Sequence, residues 1–429
     1  MEKFVIEGGK PLSGSIRVQG AKNAALPILA ATVLSEGVHR IYDVPDLTDV
    51  RAMCQILVAL GAKVIRFPDH IEVDTTYIVH SHIPDDLMRK IRSSIFLLGP
   101  MLARLHQVSV SKPGGCAIGQ RPIDIHLKGL EALGAQIEEQ SEMIHCHVDR
   151  LIGTKIKLEF PSVGATENVM MAAVLAEGTT VIHNSAREPE IMDLQAVLNK
   201  MGARIHGAGT STIYVEGVDQ LNPVEHCIIP DRIVAGTLMA AVGATQGEVT
   251  LENVNRYHLA SVIDILTDMG VKLDWEEDRV RVWTEQKLRP IHMIATEPFP
   301  GFPTDMQPQM LVLLTLADGT SQLAEKIFES RLKHVDELIK MGAKIKVDGC
   351  KACIDGPSEL TGAHVAATDL RAGAALVIAG LCAKGTTVVE GVPYIDRGYD
   401  CFDEVIKSLG GQIYRKQTSP SFISNSSTV

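Results

Sequence analysis

The stretch Leu60-Gly-Ala-Lys-Val64 decides the fold, because close variants of it recur along the 429-residue chain. The glycines of the six copies fall at positions 61, 134, 202, 270, 342 and 410, so that successive copies are 73, 68, 68, 72 and 68 residues apart. A nearly fixed period of this kind predicts repetition of one structural unit. The other copies are Leu133-Gly-Ala-Gln-Ile137, Met201-Gly-Ala-Arg-Ile205, Met269-Gly-Val-Lys-Leu273, Met341-Gly-Ala-Lys-Ile345 and Leu409-Gly-Gly-Gln-Ile413.

Each copy follows an amphipathic segment with apolar residues at helical spacing, as in 194–201. The glycine then stands where a helix end favours a left-handed residue, and an alternating segment such as 344–347 follows. Each unit is therefore predicted to contain a helix, a glycine stop and a strand.

A second kind of segment is apolar nearly all round, which is typical of helices buried on every side. Together the two kinds of helix, with short strands between them, predict an α/β fold. Three units would enclose three buried helices within sheets and outer helices, and six units would make two domains. The apolar segments are 26–34, 169–175, 233–242, 310–316 and 374–379.

The domain border is predicted near Ile229-Pro-Asp231, between the third and fourth copies. A length of 429 residues also favours two domains over one. Beyond Lys416 the sequence is polar and without period, which predicts a disordered tail.

Composition excludes several classes of protein. Hydrophobic residues make up 45% of the chain and its formal charge is -11, which argues against a general nucleic-acid surface but not against a local arginine cluster.

The N-terminus lacks a signal-peptide pattern, and the apolar stretch 95–105 is too short to span a membrane. Eight irregularly spaced cysteines indicate reduced thiols. We therefore expect a soluble, cytoplasmic protein, and we predict no metal site, since Cys350 and Cys353 lack a second pair.

The lid loop, residues 112–126, carries a cysteine between cationic residues. Lys112 and Arg121 would favour the thiolate of Cys116 or an anionic ligand beside it. A buried structural cysteine is the alternative, but the loop offers no apolar face to bury a thiol. The loop is predicted to be mobile, because glycine leaves the backbone free at Gly114, Gly115 and Gly119.

A cleft between two similar domains is a favoured place for a ligand. Asp305 is the carboxylate in the most constrained setting, after a proline-rich turn, although a helix-capping role would also explain it. No phosphate-binding glycine motif of the nucleotide-binding kinds is present. Residue patterns alone thus predict a cationic cleft and leave the reaction open. Isolated cations beside turns are candidates to line the cleft, although each could be a surface charge: Lys22, Arg92, Arg121, Arg331, Arg371 and Arg397.

Several motifs together resemble one enzyme family, the enolpyruvyl transferases that act on UDP-N-acetylglucosamine at the first committed step of peptidoglycan synthesis. The resemblance runs from residue 1 to about residue 415. It implies an inside-out α/β barrel whose domains comprise 22–229 and 1–21 plus 230–418, followed by a tail, 419–429. The motifs are Lys22-Asn23, Arg92, the lid loop through Ile125, Ser162–Glu167, Ala186–Ile191, Phe302–Asp305, Asp369–Arg371 and Asp396–Gly398.

The resemblance also implies the substrates and their sites. Phosphoenolpyruvate would be held by Lys22, Arg121 and Arg397. Arg331 and Arg371 would complete its clamp. No cofactor, metal, nucleic acid or membrane is implied. Residues implied to bind substrate, chiefly the nucleotide sugar, are Asn23, Arg92, Arg121, Pro122, Ile123, Asp124, Ile125, Ser162, Val163, Gly164, Asp305, Ile327 and Asp369.

The implied chemistry is an addition followed by an elimination, with Lys22 and Arg397 among the catalytic groups. Asp305 would take the proton of the sugar 3'-hydroxyl, and Cys116 would deliver one to C3 of phosphoenolpyruvate. The family inhibitor fosfomycin would alkylate Cys116. Phe160 departs from the family pattern, which has lysine there, and so removes one contact near the diphosphate. Two alternatives remain, a shikimate 3-phosphate enolpyruvyl transferase and a six-repeat DNA clamp.

Overall fold

A computed structural model of the chain describes residues 2–112, 119, 123–140 and 142–417. The α-helices are α1 (Lys22–Ala31), α2 (Thr48–Leu60), α3 (Asp85–Lys90), α4 (Leu98–Leu105), α5 (Asp124–Ala132), α6 (Val163–Ala173), α7 (Pro189–Lys200), α8 (Arg232–Thr245), α9 (Ala260–Met269), α10 (Gln307–Leu316), α11 (Val335–Lys340), α12 (Leu370–Cys382), α13 (Val392–Ile395) and α14 (Phe402–Ser408). Short 3-10 helices cover Thr32–Leu34, Arg92–Leu97, Arg256–His258 and Thr304–Met306.

The strands are β1 (Glu2–Glu7), β2 (Ser13–Arg17), β3 (Val38–Tyr42), β4 (Lys63–Arg66), β5 (His70–Asp74), β6 (Gln107–Ser111), β7 (Gln136–Gln140), β8 (Met143–His147), β9 (Lys155–Lys157), β10 (Thr179–His183), β11 (Arg204–His206), β12 (Thr212–Glu216), β13 (Glu225–Cys227), β14 (Glu248–Glu252), β15 (Lys272–Trp275), β16 (Arg279–Trp283), β17 (Ile294–Ala295), β18 (Thr320–Ala324), β19 (Ile345–Asp348), β20 (Lys351–Asp355), β21 (His364–Ala366), β22 (Thr386–Glu390) and β23 (Gln412–Gln417).

Within the described ranges these strands form six small sheets, one for each predicted unit. The third unit shows the plan. Its buried helix α6 leads to β10, the amphipathic α7 follows, and the β11–β12 hairpin returns antiparallel onto β10. The sheet orders are β13-β3-β5-β4, β6-β8-β7, β11-β12-β10-β9, β15-β16-β14-β2, β17-β18-β20-β19 and β21-β22-β1-β23. The α/β prediction is confirmed.

The glycine of each repeated phrase has a positive φ, at 110, 102, 110, 99, 97 and 85° in chain order. Each stands at or just after the end of an outer helix, and a strand follows it. A side chain would be strained in this left-handed conformation, which explains why the phrase keeps glycine at its second position. The predicted order of helix, glycine stop and strand is confirmed.

The five apolar segments form α1, α6, α8, α10 and α12, and almost all of their residues are buried. Helices α8, α10 and α12 pack against one another, and in the other half α4 packs on α6. Helices thus lie inside and sheets outside, which is the inside-out α/β barrel. The buried helix of the second unit was not predicted, because a 3-10 turn over Arg92–Leu97 precedes α4 and the pair Gly99-Pro100 interrupts the pattern.

Buried apolar side chains form two cores. The first core draws on residues 21–228, and the second core on residues 4–18 together with 233–413. We propose that these cores correspond to domains of residues 22–229 and of residues 1–21 plus 230–418. The predicted tail, 419–429, lies outside the described residues.

The chain crosses between the cores twice, at neighbouring places. Gly20 and Pro230 form an antiparallel bridge. The Ala21 N–H donates to the Ile229 carbonyl at 2.8 Å, and the Asp231 N–H donates to the Gln19 carbonyl at 2.9 Å. The two connections therefore run side by side as one short ribbon.

Two further observations concern the described ranges. None of their helices combines the length and the apolar composition needed to cross a bilayer. Their cysteines are all free thiols, namely Cys54, Cys146, Cys227, Cys350, Cys353, Cys382 and Cys401.

Candidate active site

Most of the predicted site residues lie at the N-terminal ends of the buried helices. Lys22 and Asn23 open α1, Arg92 opens the 3-10 turn that leads to α4, and Ser162–Gly164 begin α6. Asp305 lies in the 3-10 turn before α10, while Asp369 and Arg371 begin α12. Helix N-termini present unpaired N–H groups and a partial positive charge, so they favour anions. The repeated unit therefore provides several helix N-termini that favour anions.

Asp305 lies between two buried guanidinium groups. Arg331 Nη2 is 2.9 Å from one carboxylate oxygen, and Arg371 Nη2 and Nε are each 3.2 Å from the other. Both arginine side chains are only 1% exposed, whereas Asp305 is 26% exposed. These contacts, rather than a helix cap, account for the position of Asp305. Its solvent-facing carboxylate is held in place and its charge is stabilised.

Arg371 is fixed from two further directions. Asp369 caps α12, because its Oδ1 accepts hydrogen bonds from the backbone N–H groups of Arg371 and Ala372 at 2.9 and 3.1 Å. The guanidinium carbon lies 5.2 Å from the centre of the Tyr399 ring. Burial alone would lower the pKa of Arg371, but the negative charges of Asp305 and Asp231 oppose it and the pKa is raised. Arg371 is therefore a permanent buried cation.

Asp49 joins two of the predicted cations. Lys22 Nζ lies 2.7 Å from Asp49 Oδ2, and Arg397 Nε donates to Asp49 Oδ1 at 2.8 Å. Asp49 is 2% exposed. Burial lowers the pKa of Lys22, and the charge of Asp49 opposes that change. Lys22 and Asp49 pack in the first half of the chain and Arg397 in the second, so this contact joins the two halves.

Asp231 makes a second link between the halves. Its Oδ1 accepts from the N–H groups of Ile233 and Val234, which caps α8, and its Oδ2 accepts from the N–H of Lys22 at 3.1 Å. One buried carboxylate thus joins the first turn of α8 to that of α1. Neither Asp49 nor Asp231 was predicted as a site residue. The position of Asp231 immediately before a buried helix was the available signal.

Most of the residues predicted to contact the nucleotide sugar belong to the first half of the chain. Ser162 caps α6 by accepting from the Ala165 N–H at 3.3 Å. A Cβ on Gly164 would lie 2.9 Å from the His126 ring, so only glycine fits there without a shift. Burial and the charge of Arg92 lower the pKa of His126 to about 4, which keeps this imidazole neutral. Asn23, Ile123, Ile125, Val163 and Gly164 are half-buried, and Asp124 is exposed.

Ile327 lies in the second half, where Glu325 organises its loop. Glu325 Oε1 accepts from the N–H groups of Ile327 and Phe328 at 2.8 and 3.1 Å, and it also accepts from the Thr296 hydroxyl. Its Oε2 accepts from the Thr304 hydroxyl at 2.8 Å, next to Asp305. The buried Glu325 therefore ties the Ile327 loop to the turn that carries Asp305.

Three predicted residues, Cys116, Arg121 and Pro122, lie outside the described residues. Gly119 of the lid loop is described and has a φ of 136°. A Cβ at this position would overlap the carboxylate of Glu329, which belongs to the second half of the chain. The lid loop, which starts in the first half, therefore reaches the second half at Gly119.

Three buried acids lie beside the site. Glu190 Oε1 accepts from Arg232 Nε at 3.0 Å, and Glu188 Oε1 accepts from the Phe299 N–H at 3.4 Å. Glu167 is fully buried, and neither of its oxygens has a partner among the described residues. Burial raises the pKa of Glu167 well above its usual range, and Glu190 and Glu188 raise it further. The protonated form of Glu167 is therefore favoured in the folded protein relative to the unfolded chain.

Glu167→Gln is expected to raise the melting temperature at pH 8 by roughly 2 °C or more, and to leave it unchanged near pH 4. Because the folded-state pKa of Glu167 is raised, its contribution to stability is full below the unfolded-state pKa and is lost as the pH rises. Glutamine keeps the neutral shape without that loss. Calorimetry at both pH values tests this, with Glu177→Gln in the exposed Arg150–Glu177 pair as the control. A lower melting temperature for Glu167→Gln at pH 8 would contradict the prediction.

The geometry defines a class of site. Cations from both halves contact two aspartates, and several helix N-termini carry the residues around them, so the site suits a substrate carrying a phosphate and a carboxylate. The class of protein is therefore an inside-out α/β barrel whose site suits phosphorylated, acidic substrates.

Comparisons with known proteins agree with that class. The profile of the family described as EPSP synthase (3-phosphoshikimate 1-carboxyvinyltransferase) matches residues 6–406. A UDP-N-acetylglucosamine 1-carboxyvinyltransferase 2 of Caldanaerobacter subterraneus subsp. tengcongensis is 52% identical over 415 residues, covering 97% of this chain and 100% of the relative. One of Carboxydothermus hydrogenoformans is 52% identical over 417 residues, covering 97% and 99%.

Solved structures share the fold. The enolpyruvyl transferase NikO from Streptomyces tendae superposes with a TM-score of 0.89 at 26% identity, covering 97% of this chain and 99% of that one. EPSP synthase from Acinetobacter baumannii gives a TM-score of 0.78 at 19% identity, covering 97% and 100%. The chain belongs to the enolpyruvyl transferases and, within them, to the family of the UDP-N-acetylglucosamine 1-carboxyvinyltransferases.

Proposed function

We propose that this enzyme transfers the enolpyruvyl group of phosphoenolpyruvate to the 3'-hydroxyl of UDP-N-acetylglucosamine and releases phosphate, at the first committed step of peptidoglycan synthesis. The carrying observation is the pair of buried arginines, Arg331 and Arg371, on a single solvent-facing aspartate, Asp305. This arrangement gives anion binding and a base at one place. The relatives of about 50% identity that bear the name of this activity supply the substrate identities.

The chemistry proceeds by addition and then elimination. The sugar hydroxyl oxygen attacks C2 of phosphoenolpyruvate and gives its proton to Asp305, while C3 gains a proton from Cys116. In the second step the Cys116 thiolate takes a proton back from C3 and the C2–O bond to phosphate breaks, which restores the double bond, and Asp305 passes the hydroxyl proton to the departing phosphate. General acid–base groups of this kind contribute about 10² to 10⁴ in rate.

Asp305 must change partners during this cycle. In the described conformation both of its oxygens face guanidinium groups. A carboxylate in that state is a poor acceptor for a further proton. We infer that the carboxylate and phosphate of phosphoenolpyruvate draw the two guanidinium groups away, so that one oxygen of Asp305 can accept from the sugar hydroxyl. Binding of the phosphoenolpyruvate anion would then activate Asp305 as the base for the sugar hydroxyl.

Lys22 and Arg397 are proposed to hold phosphoenolpyruvate, together with Arg121. Asp49 bridges Lys22 and Arg397, and the three groups together keep one net positive charge. The remaining residues of the first half, from Asn23 and Arg92 to Ile125 and Ser162–Gly164, are proposed to hold the nucleotide sugar, together with Ile327 and Asp369. Since both substrates are intracellular metabolites, we also propose that the enzyme works in the cytoplasm.

The direct test is phosphate release from the purified protein mixed with phosphoenolpyruvate and UDP-N-acetylglucosamine. One phosphate is expected for each enolpyruvyl product found by mass spectrometry, and none when either substrate is omitted. Turnover with shikimate 3-phosphate, and none with UDP-N-acetylglucosamine, would assign the chain to the sister activity.

Cys116 provides a chemical test of the proposed acid. Fosfomycin is expected to add to the parent as one covalent adduct at Cys116, faster in the presence of UDP-N-acetylglucosamine, and not to the Cys116→Asp variant. Cys116→Asp should keep measurable phosphate release because a carboxylic acid can donate a proton, whereas Cys116→Ser should lose tenfold or more. Intact mass and peptide mapping give the readout. An adduct on another cysteine, or full activity of Cys116→Ser, would remove Cys116 from the mechanism.

A further inference from the structure

Tyr399 lies between the N-terminal halves of the three buried helices of the second core. Its hydroxyl oxygen is 3.0 Å from Thr237 Oγ1 of α8 and 3.2 Å from Gln309 Nε2 of α10. The guanidinium of Arg371, in the first turn of α12, lies over its ring. One side chain, 1% exposed, therefore contacts all three helices, and it touches the arginine that contacts Asp305.

The hydroxyl belongs to a closed polar triangle within an apolar core. Gln309 Nε2 donates to Thr237 Oγ1 at 2.9 Å as well as to Tyr399, and the Thr237 hydroxyl donates to the Ile233 carbonyl at 2.7 Å. A buried hydroxyl without partners is costly, and the hydrogen bonds of this triangle hold its three side chains together, while Gln309 Oε1 has no partner among the described residues. Burial raises the pKa of Tyr399, so the side chain stays a neutral phenol. Apolar packing alone would need none of these polar groups.

The Tyr399 ring and the turn at Gly398 lie against the guanidinium group of Arg371. A Cβ on Gly398 would lie 3.4 Å from Arg371 Nη1 and would overlap Leu370, so the guanidinium runs close along the backbone of that turn. The Nε and Nη2 atoms of Arg371 contact Asp305. The same turn begins with Arg397, which contacts Asp49. Displacement of Tyr399 would therefore move the support of one site cation and the turn that carries another.

We propose that Tyr399 is a positioning residue for the transfer reaction, which its hydroxyl serves by locking the ring to α8 and α10 so that the Arg371 guanidinium has a fixed support when its contacts pass from Asp305 to the substrate anion. The inference rests on the proposed function. A shift of a fraction of an ångström in Arg371 would affect the transition state more than substrate binding, because Arg331 and the other cations still hold the ground state.

Tyr399→Phe removes only the hydroxyl and keeps the ring beneath the guanidinium. Steady-state phosphate release is expected to show kcat lowered about tenfold, with KM for each substrate changed less than about threefold. Assays run well below the melting temperature of the variant separate this effect from unfolding. A purely structural role would lower the melting temperature and leave kcat of the folded fraction unchanged.

Thr237→Val tests the other end of the same hydrogen bond without touching Arg371. It is also expected to lower kcat. The double variant Thr237→Val/Tyr399→Phe should be no slower than Tyr399→Phe alone, because both changes break the same Tyr399–Thr237 hydrogen bond. Thr315→Val is the matched control. Thr315 is equally buried in α10, and its hydroxyl donates only to the Val312 carbonyl of its own helix.

The outcomes are distinct. A tenfold loss in kcat for Tyr399→Phe, shared by Thr237→Val, absent in Thr315→Val and not additive in the double variant, supports the inference. Turnover of Tyr399→Phe within twofold of the parent, or additive losses, overturns it. If Tyr399→Phe does not fold, Thr237→Val against Thr315→Val decides the question alone. A parent that releases no phosphate overturns the proposed function and this inference together.

Discussion

Asp305→Asn is expected to lower turnover on the order of 10³-fold while leaving the protein folded. The amide keeps the volume of the carboxylate but cannot take the proton of the sugar hydroxyl, and the loss of a general base has an effect of this size. Asp305→Ala should have a second effect. Arg331 and Arg371, each 1% exposed, would lose the carboxylate they share, and breaking a buried ion pair costs about 3–5 kcal/mol.

Two measurements separate the effects of these Asp305 variants. Phosphate release reports the lost base in both, and the free energy of unfolding in urea should fall in both, more in Asp305→Ala because the amide of asparagine keeps one oxygen that can accept from a guanidinium group. Glu359→Gln is the control, since Glu359 pairs with Lys384 at 2.8 Å on the surface with side chains 82% and 72% exposed. A surface pair of this kind contributes about 1 kcal/mol or less. If Asp305→Asn turns over within tenfold of the parent, Asp305 is not the base.

Asp49→Asn is expected to lower kcat/KM for phosphoenolpyruvate by about 10² to 10³ at pH 8, with partial recovery at lower pH. Burial already lowers the pKa of Lys22, and the charge of Asp49 is the largest effect opposing it. Without that charge Lys22 loses its proton at a lower pH. The alkaline limb of the pH–rate profile should therefore move to lower pH in the variant, and acidification should restore the cation.

The matched control for Asp49 lies three residues earlier on the same segment. Asp46 accepts from Arg51 at 2.6 Å, with side chains 39% and 62% exposed, so Asp46→Asn should leave the pH–rate profile unchanged. An unshifted alkaline limb in Asp49→Asn, at equal melting temperature, would show that Lys22 does not depend on Asp49. A shift to higher pH would contradict the electrostatic argument outright.

Local sequence patterns predicted more of the fold than of the site. The glycine stop, the amphipathic segment and the apolar segment each reflect helix and strand geometry within about 20 residues, so the six units and most buried helices followed from the sequence. The helix of the second unit was missed because Gly99 and Pro100 interrupt its apolar pattern. The repeat pattern predicted three buried helices enclosed by sheets, and the resemblance, rather than any pattern, supplied the substrates.

The partners of the site residues could not be predicted in this way. Arg397 and Asp49 are 348 residues apart in the chain, and Lys22 and Asp231 are 209 apart. An isolated aspartate on an amphipathic helix gives no signal that it will be buried between two cations. Tyr399 was not predicted as a site residue, since only the packing of three helices brings Thr237, Gln309 and Arg371 to it.

The membership of residues 4–18 in the second core has a consequence for synthesis on the ribosome. Strand β1 lies between β22 and β23, and β2 pairs with β14, so the first strands made have no partners until residues 248–252 and then 386–417 have emerged. The first core, 21–228, is continuous and can fold meanwhile. The nascent chain must therefore carry two unpaired strand edges through most of its translation, a period in which they are exposed to intermolecular pairing.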